Sequence, residues 1–301
     1  MNSPRTARSG VRGRGTRIVH AITQVRRAVA AWHEQELSVG FVPTMGALHE
    51  GHRSLMRRSK RLCDRTVVSI FVNPTQFGPR EDLRAYPRPL ASDLRACREE
   101  GVDLVFVPSV GTIYPKGFET KIKVGDLGDL WEGRSRPGHF DGVATVVLKL
   151  FSIVTPDAAV FGRKDFQQTV VIRRMVSDLN LPVKIVVAPT VREGDGLALS
   201  SRNVYLDKLS RNASAGIYQS LRWARTQIKK GETGAGRLRR RMRQMIEEGG
   251  YFSLDYIGFC DPLTLTEKAG ARPPLAILVA VNCMTPGPAQ GRRYIDNLVI
   301  R

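Results

Sequence analysis

The chain has 301 residues, 42% hydrophobic and 25% charged, a globular composition that excludes a disordered or fibrous polypeptide and leaves room for two ordinary domains or one large one. Its longest uninterrupted apolar run, residues 275–281, has seven residues, where a membrane-spanning helix needs about 20, so the sequence reads as a soluble protein with no membrane partner. Lys and Arg outnumber Asp and Glu by 47 to 28, a formal net charge of +19, which keeps polyanions among the candidate partners.

In chain order, Ile18, Ile22, Val25, Val29 and Trp32 recur at steps of 4, 3, 4 and 3, the period of an amphipathic helix. A strand-like run at 37–42, a Gly-containing turn, a polar helical stretch at about 52–62 and a strongly β segment at 66–72 follow. That order predicts a right-handed βαβ unit with parallel pairing. Helical patterns at about 90–100, 143–154 and 165–179 then precede strands at 103–107, 158–161 and 183–187. The expected class is therefore α/β with a Rossmann-like parallel sheet. Ligands on such sheets bind beyond the carboxyl ends of the strands, which directs attention to the loops after Val42, Val72, Phe161 and Val187. Beyond about residue 190, helices at 209–230 and 236–248 lead into strands near 254–259, 275–282 and 293–300, with 284–291 as a hairpin connection. The expected organisation is a basic, disordered tail at 1–17, a Rossmann-like ligand-binding domain at 18–190 and a smaller C-terminal α+β domain at 191–301.

The basic surplus is local. Residues 1–17 carry five Arg and no acid, and residues 222–243 carry nine Lys or Arg against one Glu. Neither segment interleaves aromatics or matches a nucleic-acid-binding motif, so the Arg237 to Arg243 cluster reads as a solvated helix face and no specific nucleic-acid partner is expected. Cys63, Cys97, Cys260 and Cys283 lie 34, 163 and 23 residues apart, neither a zinc spacing nor a disulfide framework. Together with the absence of an apolar stretch after the basic N-terminus, this makes the cytoplasm the expected location.

No Walker A loop, G-x-G-x-x-G, G-x-S-x-G or H-E-x-x-H is present, so a nucleotide would have to use other parts. Four segments at predicted strand ends offer them. In 43–52 (PTMGALHEGH), Gly46 and Gly51 allow close backbone approach to a helix N-terminus, where free N–H groups attract anions. His49 and His52, at i and i+3, aim two imidazoles at the same place; a zinc pair would lack a third ligand, and no metal site is expected. After the next strand, Asn73 and Gln76 are uncharged hydrogen-bonders suited to hydroxyls or a carboxylate. In 161–168, Lys164 supplies a point charge for phosphate. Asp165 is either a helix N-cap or a ligand residue, and it shares a helix face with Gln168. In 189–203, Ser200, Ser201 and Arg202 form a phosphate-binding set. Together these describe a cleft for a nucleoside triphosphate and a small polar acid.

In order and spacing, PTMGALHEGH, VSIFVNPTQFG, RPGHFDGVATVV, FGRKDFQQ and PTVREGDGLALSSRN resemble the pantothenate synthetase (pantoate–β-alanine ligase) family. The likeness runs from about Val39 to Asp207, and more loosely to YIDN at 294–297. The histidine element and the Ser-Ser-Arg loop are also similar to paired signatures of the wider nucleotidyl-transferase and class I tRNA-synthetase superfamily, which forms adenylates. The resemblance implies a cytoplasmic, homodimeric ligase of pantothenate biosynthesis. Pantoate and ATP give pantoyl adenylate and pyrophosphate; β-alanine then gives pantothenate and AMP, with Mg²⁺ carried by the ATP phosphates.

The resemblance also implies site roles. Met45, Gly46, Ala47, Leu48, His49, Glu50, Gly51 and His52 would line ATP, with His52 in the proton-donor position. Gly162, Arg163, Lys164 and Asp165 would also meet ATP, Asp165 at the ribose. Val191 would present backbone to adenine, and Leu199, Ser200, Ser201 and Arg202 would close over the phosphates. His52, His49, Lys164 and Arg202 form the catalytic set. Gln76 and Gln168 would hold pantoate, Gln76 also near β-alanine, with Asn73 a further contact. Position 163 is Arg where the family usually has Glu, and neither the basic tail nor the 237–243 cluster belongs to the family pattern. Loops around 76–88 and 194–201 are expected to be mobile, and one folding over the ATP site would keep water from the adenylate. An adenylate-forming transferase with another acceptor is the rival reading, and the Gln76–Gln168 pair favours pantoate over it.

Overall fold

The computed structural model describes residues 15–79 and 81–301; of the expected basic tail, residues 1–14 lie outside the described residues. Taken in chain order, the first lobe runs β1 (Arg17–Val19), α1 (Ile22–His33), β2 (Val39–Thr44), α2 (Glu50–Leu62), β3 (Arg65–Ile70), α3 (Leu90–Glu99), β4 (Leu104–Phe106), α4 (Val110–Ile113), α5 (Asp126–Asp129), α6 (Glu132–Ser135), α7 (His139–Val154), β5 (Ala158–Gly162), α8 (Phe166–Asp178) and β6 (Lys184–Ala188). The second runs α9 (Lys208–Ala213), α10 (Ala215–Lys229), α11 (Ala235–Glu247), β7 (Phe252–Cys260), β8 (Leu275–Cys283) and β9 (Arg293–Ile300).

The helix expected from Ile18 begins instead at Ile22, and Arg17–Val19 join the sheet edge beside β4. The Gln24 side chain accepts from the amides of His20 and Ala21, so the helix starts where that acceptor is in reach. The single helix expected at 209–230 is two, divided at Ser214. The stretch 110–135, given no elements by periodicity, holds three one-turn helices.

The first sheet has the order β1-β4-β3-β2-β5-β6, parallel throughout. From β2 the chain winds outward through β3 and β4, then returns to place β5 and β6 on the other side. The reversal between β2 and β5 opens a crevice at the strand carboxyl ends. Strand alternation divides the core into two layers. Phe41, Val67, Leu104 and Ala159 pack under α1, α7 and α8, while Val42, Val68, Val105 and Val160 pack under α2 and α3. Helix α7 is buried along most of its length, which is why its sequence is apolar on nearly every face.

The second sheet is an antiparallel β7-β8-β9 meander. One face carries α10 and α11 through Leu221, Leu238, Met242, Phe259 and Ile277. The other, with Cys260, Ala276 and Leu278, packs on Val170 and Trp131 of the first lobe. A buried ion network crosses the same seam. Glu132 of α6 accepts from the Arg293 guanidinium at 2.9–3.0 Å and from the Tyr256 hydroxyl at 3.3 Å, and Arg293 also pairs with Asp255. Among the described residues no helix is long and apolar enough to cross a membrane.

Candidate active site

A cavity of about 220 Å³ lies beyond the carboxyl ends of β2, β3, β5 and β6, where the four sequence segments converge. After β2 the chain turns sharply. Gly46 and Ala47 both take left-handed backbone (φ 81° and 49°), which glycine adopts freely and alanine only under constraint. The constraint is Asp93 of α3, only 2% exposed, whose carboxylate accepts from the amides of Ala47 (2.9 Å) and Leu48 (2.8 Å). Burial pushes this carboxyl above its ordinary pKa against the opposing effect of the two amides. Gly46, Ala47 and Leu48 therefore shape the turn and stand off the cavity wall, and the amides of Ala47 and Leu48 serve Asp93. Glu50 also stands off it, pairing with Arg57 and more distantly with Arg53. Met45, His49, Gly51 and His52 line the wall.

His49 caps α2. Its Nδ1 accepts from the Gly51 amide at 3.1 Å, and the His49 amide donates in turn to His52 Nδ1 at 3.3 Å. A backbone amide only donates, so both rings are fixed as the Nε2–H tautomer. The rings stack with centroids 4.1 Å apart. A Cβ on residue 51 would lie 2.8 Å from His49 Cε1, so the glycine makes room for the imidazole that folds back over it. Burial lowers the His49 pKa to about 4, with Lys164 adding to the effect. Burial, then His49 and Lys164, hold His52 well below its ordinary value. The pair thus meets a ligand as two neutral N–H donors.

After β3, Asn73 (1% exposed) is committed within the protein. It donates to Gln76 Oε1 and to the Gly142 carbonyl, both at 3.1 Å, and accepts from the Thr75 and Tyr114 hydroxyls at 2.9 and 2.8 Å. This fixes the Gln76 amide with its NH₂ as the remaining donor. Gly142 of α7 lies against the turn so closely that a Cβ there would sit 2.3 Å from the Thr75 carbonyl oxygen. Two residues that sequence reasoning missed, Arg136 and His139, also line the cavity. His139 Nδ1–H donates to the Gln76 carbonyl at 2.8 Å, its Nε2 accepts from Arg136 at 3.1 Å, and burial followed by the Arg136 charge lowers its pKa to about 4. Arg136 is itself bidentate to Glu81. Val143, Val146, Val147 and Leu150 of α7, with Phe71 and Phe161, form the apolar part of the wall.

After β5, Gly162, Lys164, Asp165 and Gln168 line the cavity. Asp165 stands at the α8 N-cap position but makes no side-chain cap bond; its carboxylate lies 3.7 Å from Lys164 Nζ. The Gln168 side chain makes no hydrogen bond to any other described residue, while its backbone belongs to α8. Arg163 stands off the wall. Asn297 of β9 donates to the carbonyls of Arg163 and Lys164, both at 2.9 Å, so the second lobe holds this turn. After β6, Val191 lines the wall and its carbonyl accepts from Leu199 at 3.0 Å. Leu199, Ser200, Ser201 and Arg202 complete the rim. Their loop is braced by Arg192, which is bidentate to buried Asp296 (2.6 and 2.8 Å). The lining holds three cations, Arg136, Lys164 and Arg202, and one carboxylate, Asp165; Glu81 and Asp82, which stand off it, pair with the two arginines.

Comparison with known proteins shows what the chain is similar to. Residues 17–299 match the family described as pantoate-beta-alanine ligase. A pantothenate synthetase of Caldicellulosiruptor bescii is 47% identical over 94% of this chain and 98% of its own length; one from Aquifex aeolicus is 53% identical over 86% and 90%. The crystal structure of pantothenate synthetase from Thermus thermophilus superposes with a TM-score of 0.87 at 44% identity, covering 94% of this chain and 99% of that one. A pantoate-beta-alanine ligase from Francisella tularensis, complexed with beta-gamma ATP and beta-alanine, superposes at 0.77 with 34% identity over 94% and 97%. By sequence match and by fold over nearly its whole length, the chain belongs to the pantoate–β-alanine ligase family.

Proposed function

We propose that this cavity is where the chain condenses pantoate with β-alanine, using ATP and passing through pantoyl adenylate. The observation that carries the reading is the division of one cavity wall. One part is apolar with two carboxamides, Gln76 and Gln168. The other offers His49, His52, Lys164, Ser200, Ser201 and Arg202. The first suits an acid that carries two methyl groups and hydroxyls, the second a triphosphate.

In the first step a pantoate carboxylate oxygen attacks the α-phosphorus and the bond to the β-phosphate oxygen breaks, releasing pyrophosphate. Charge grows on that leaving group, and Lys164, Arg202 and the Nε2–H donors of His49 and His52 stabilise it; one such donor is worth about 10²–10³ in rate. Phosphates beside His52 raise its low pKa, which turns it from a neutral donor towards a proton donor. In the second step the β-alanine nitrogen attacks the activated carbonyl carbon, AMP leaves and the amine loses its proton. Gln76 and Gln168 hold pantoate, with Asn73 acting through Gln76. Gly162 and Asp165 meet the ribose side of ATP, and Met45, Gly51, Val191 and Leu199 border the nucleotide. Mg²⁺ shields phosphate charge and would arrive on ATP, because Asp165 alone is too few carboxylates for a protein cage. The 191–301 lobe closes the site through 199–202, and the enzyme works as a cytoplasmic homodimer.

The test is a product assay with purified protein, ATP, Mg²⁺, pantoate and β-alanine, read by mass spectrometry. Pantothenate and AMP are expected, and without β-alanine, pantoyl adenylate and pyrophosphate at about enzyme stoichiometry. ATP binding without either product would overturn the choice of acid.

A further inference from the structure

The loop after the 74–76 turn carries an acid that the reaction leaves unused. Asp82 binds the side edge of Arg202: Nε donates to Oδ2 at 3.1 Å and Nη2 to Oδ1 at 2.9 Å. Arg202 Nη1 makes no hydrogen bond to any other described residue, and Arg202 lines the cavity. Asp82 is fixed in turn by Arg292, whose Nη1 donates to Oδ2 at 2.6 Å. Arg292 is held by its Nε on the Pro288 carbonyl at 2.6 Å and lies 3.6 Å above the Tyr205 ring. The Arg202 backbone is pinned as well, its amide on Ser200 Oγ (3.2 Å) and its carbonyl under the Tyr294 hydroxyl (3.1 Å). The Asp82 and Arg202 side chains are only 18% and 24% exposed.

We propose that Asp82 is the positioning residue for Arg202: it locks one edge of the guanidinium so that the free Nη1 corner is pre-aimed at the departing pyrophosphate. An unheld arginine must give up the rotamer freedom of its long side chain to make the same contact, and a donor aimed in advance stabilises developing charge without reorganising. The carboxylate has an opposite effect on ground-state ATP, whose phosphates it repels. Arg292 offsets that by adding a second cation, so the trio keeps a net charge of +1. The inference rests on the assignment of Arg202 made above, and it predicts a separation between rate and binding that a mere loop tie would not produce.

The experiment measures single-turnover pantoyl-adenylate formation and ATP affinity by calorimetry in Asp82→Asn, Arg202→Ala, the double variant and Arg292→Gln. Asp82→Asn should slow adenylation about 10- to 100-fold with ATP affinity unchanged or tighter. In the Arg202→Ala background the same change should cost less than about twofold, because its effect runs through that arginine. Arg292→Gln removes the offsetting cation but leaves the Arg202 pair, so it should weaken ATP binding more than it slows single-turnover adenylation. An additive double variant, a parallel loss of ATP affinity in Asp82→Asn, or an Arg292→Gln loss of adenylation rate equal to that of Asp82→Asn would overturn the proposal while leaving Arg202's own role intact. A fully active Arg202→Ala enzyme would remove that role and the proposal with it.

Discussion

Gly142→Ala adds one methyl group 2.3 Å from the Thr75 carbonyl oxygen, 2.6 Å from its carbon and 2.8 Å from the Gln76 amide nitrogen. These contacts are short of ordinary van der Waals separation by about 1 Å. Helix α7 is held in place, because Ala144, Phe151, Ile153 and Val154 are packed into the core. The turn must move, and Gln76 moves with it. Asn73, which grips both the Gly142 carbonyl and Gln76, carries the shift to the carboxamide. Overpacking costs about 1–3 kcal/mol, and replacing a helical glycine by alanine returns about 1 kcal/mol, so the variant should remain folded. A 1 Å misplacement of a positioning group costs about 10²-fold, so kcat/KM for pantoate should fall by that order. ATP affinity should hold, since His49, Lys164 and Arg202 stand on other elements. Steady-state pantothenate formation against pantoate, calorimetric ATP binding and a thermal melt check this together. A folded variant with kcat/KM for pantoate within about threefold of the parent would refute the claim that α7 sets the Gln76 position.

Asp93→Asn leaves one buried amide of the 46–48 turn facing an NH₂ group, a loss of about 1–3 kcal/mol; a lower melting temperature and weaker ATP binding are expected, and unchanged ATP affinity would show that the turn needs no anchor. His49 and His139 take up protons near pH 4 when folded and near 6.5 when free. The unfolded chain therefore binds more protons between those values, and stability should fall as pH drops from about 6.5 towards 4, by about 3 kcal/mol for each histidine. Denaturant unfolding at a series of pH values measures this, and a flat profile would refute it. Arg163→Glu should keep the reaction and change the KM for ATP by less than tenfold, since a charge off the cavity wall is worth about 1 kcal/mol or less; loss of turnover would show that Arg163 has become part of the site.

The parallel sheet was legible because β2, β3 and β5 are short, largely apolar runs bounded by turns, and the site because its parts sit directly at strand ends. The edge strand Arg17–Val19 was not, since Ile18 happens to fall on the helical period continued by Ile22 and only the Gln24 cap interrupts it. Asp93 was hidden for another reason: its partners are backbone amides 45 and 46 residues away, and backbone leaves no residue-type signal. Arg136 and His139 lay in a stretch without periodicity, although RPGHFDGVATVV, one of the strings that carry the family likeness, contains both. The histidine spacing did disclose proximity, but protonation depends on burial, which spacing does not carry.

The seam between the lobes has a consequence for how the protein comes apart and how its site opens. Glu132 is 7% exposed and, besides Arg136 of its own lobe at 3.6 Å, takes compensating charge from Arg293 of the opposite lobe. Were the small lobe to melt or swing away alone, that carboxylate would lose this partner, and breaking a buried pair costs about 3–5 kcal/mol. The pair thereby couples the two hydrophobic cores, and a single unfolding transition in denaturant is the expected result, which two resolved transitions would refute. Opening of the site is then expected to fall to the short loops over the cleft and not to hinge motion of whole lobes.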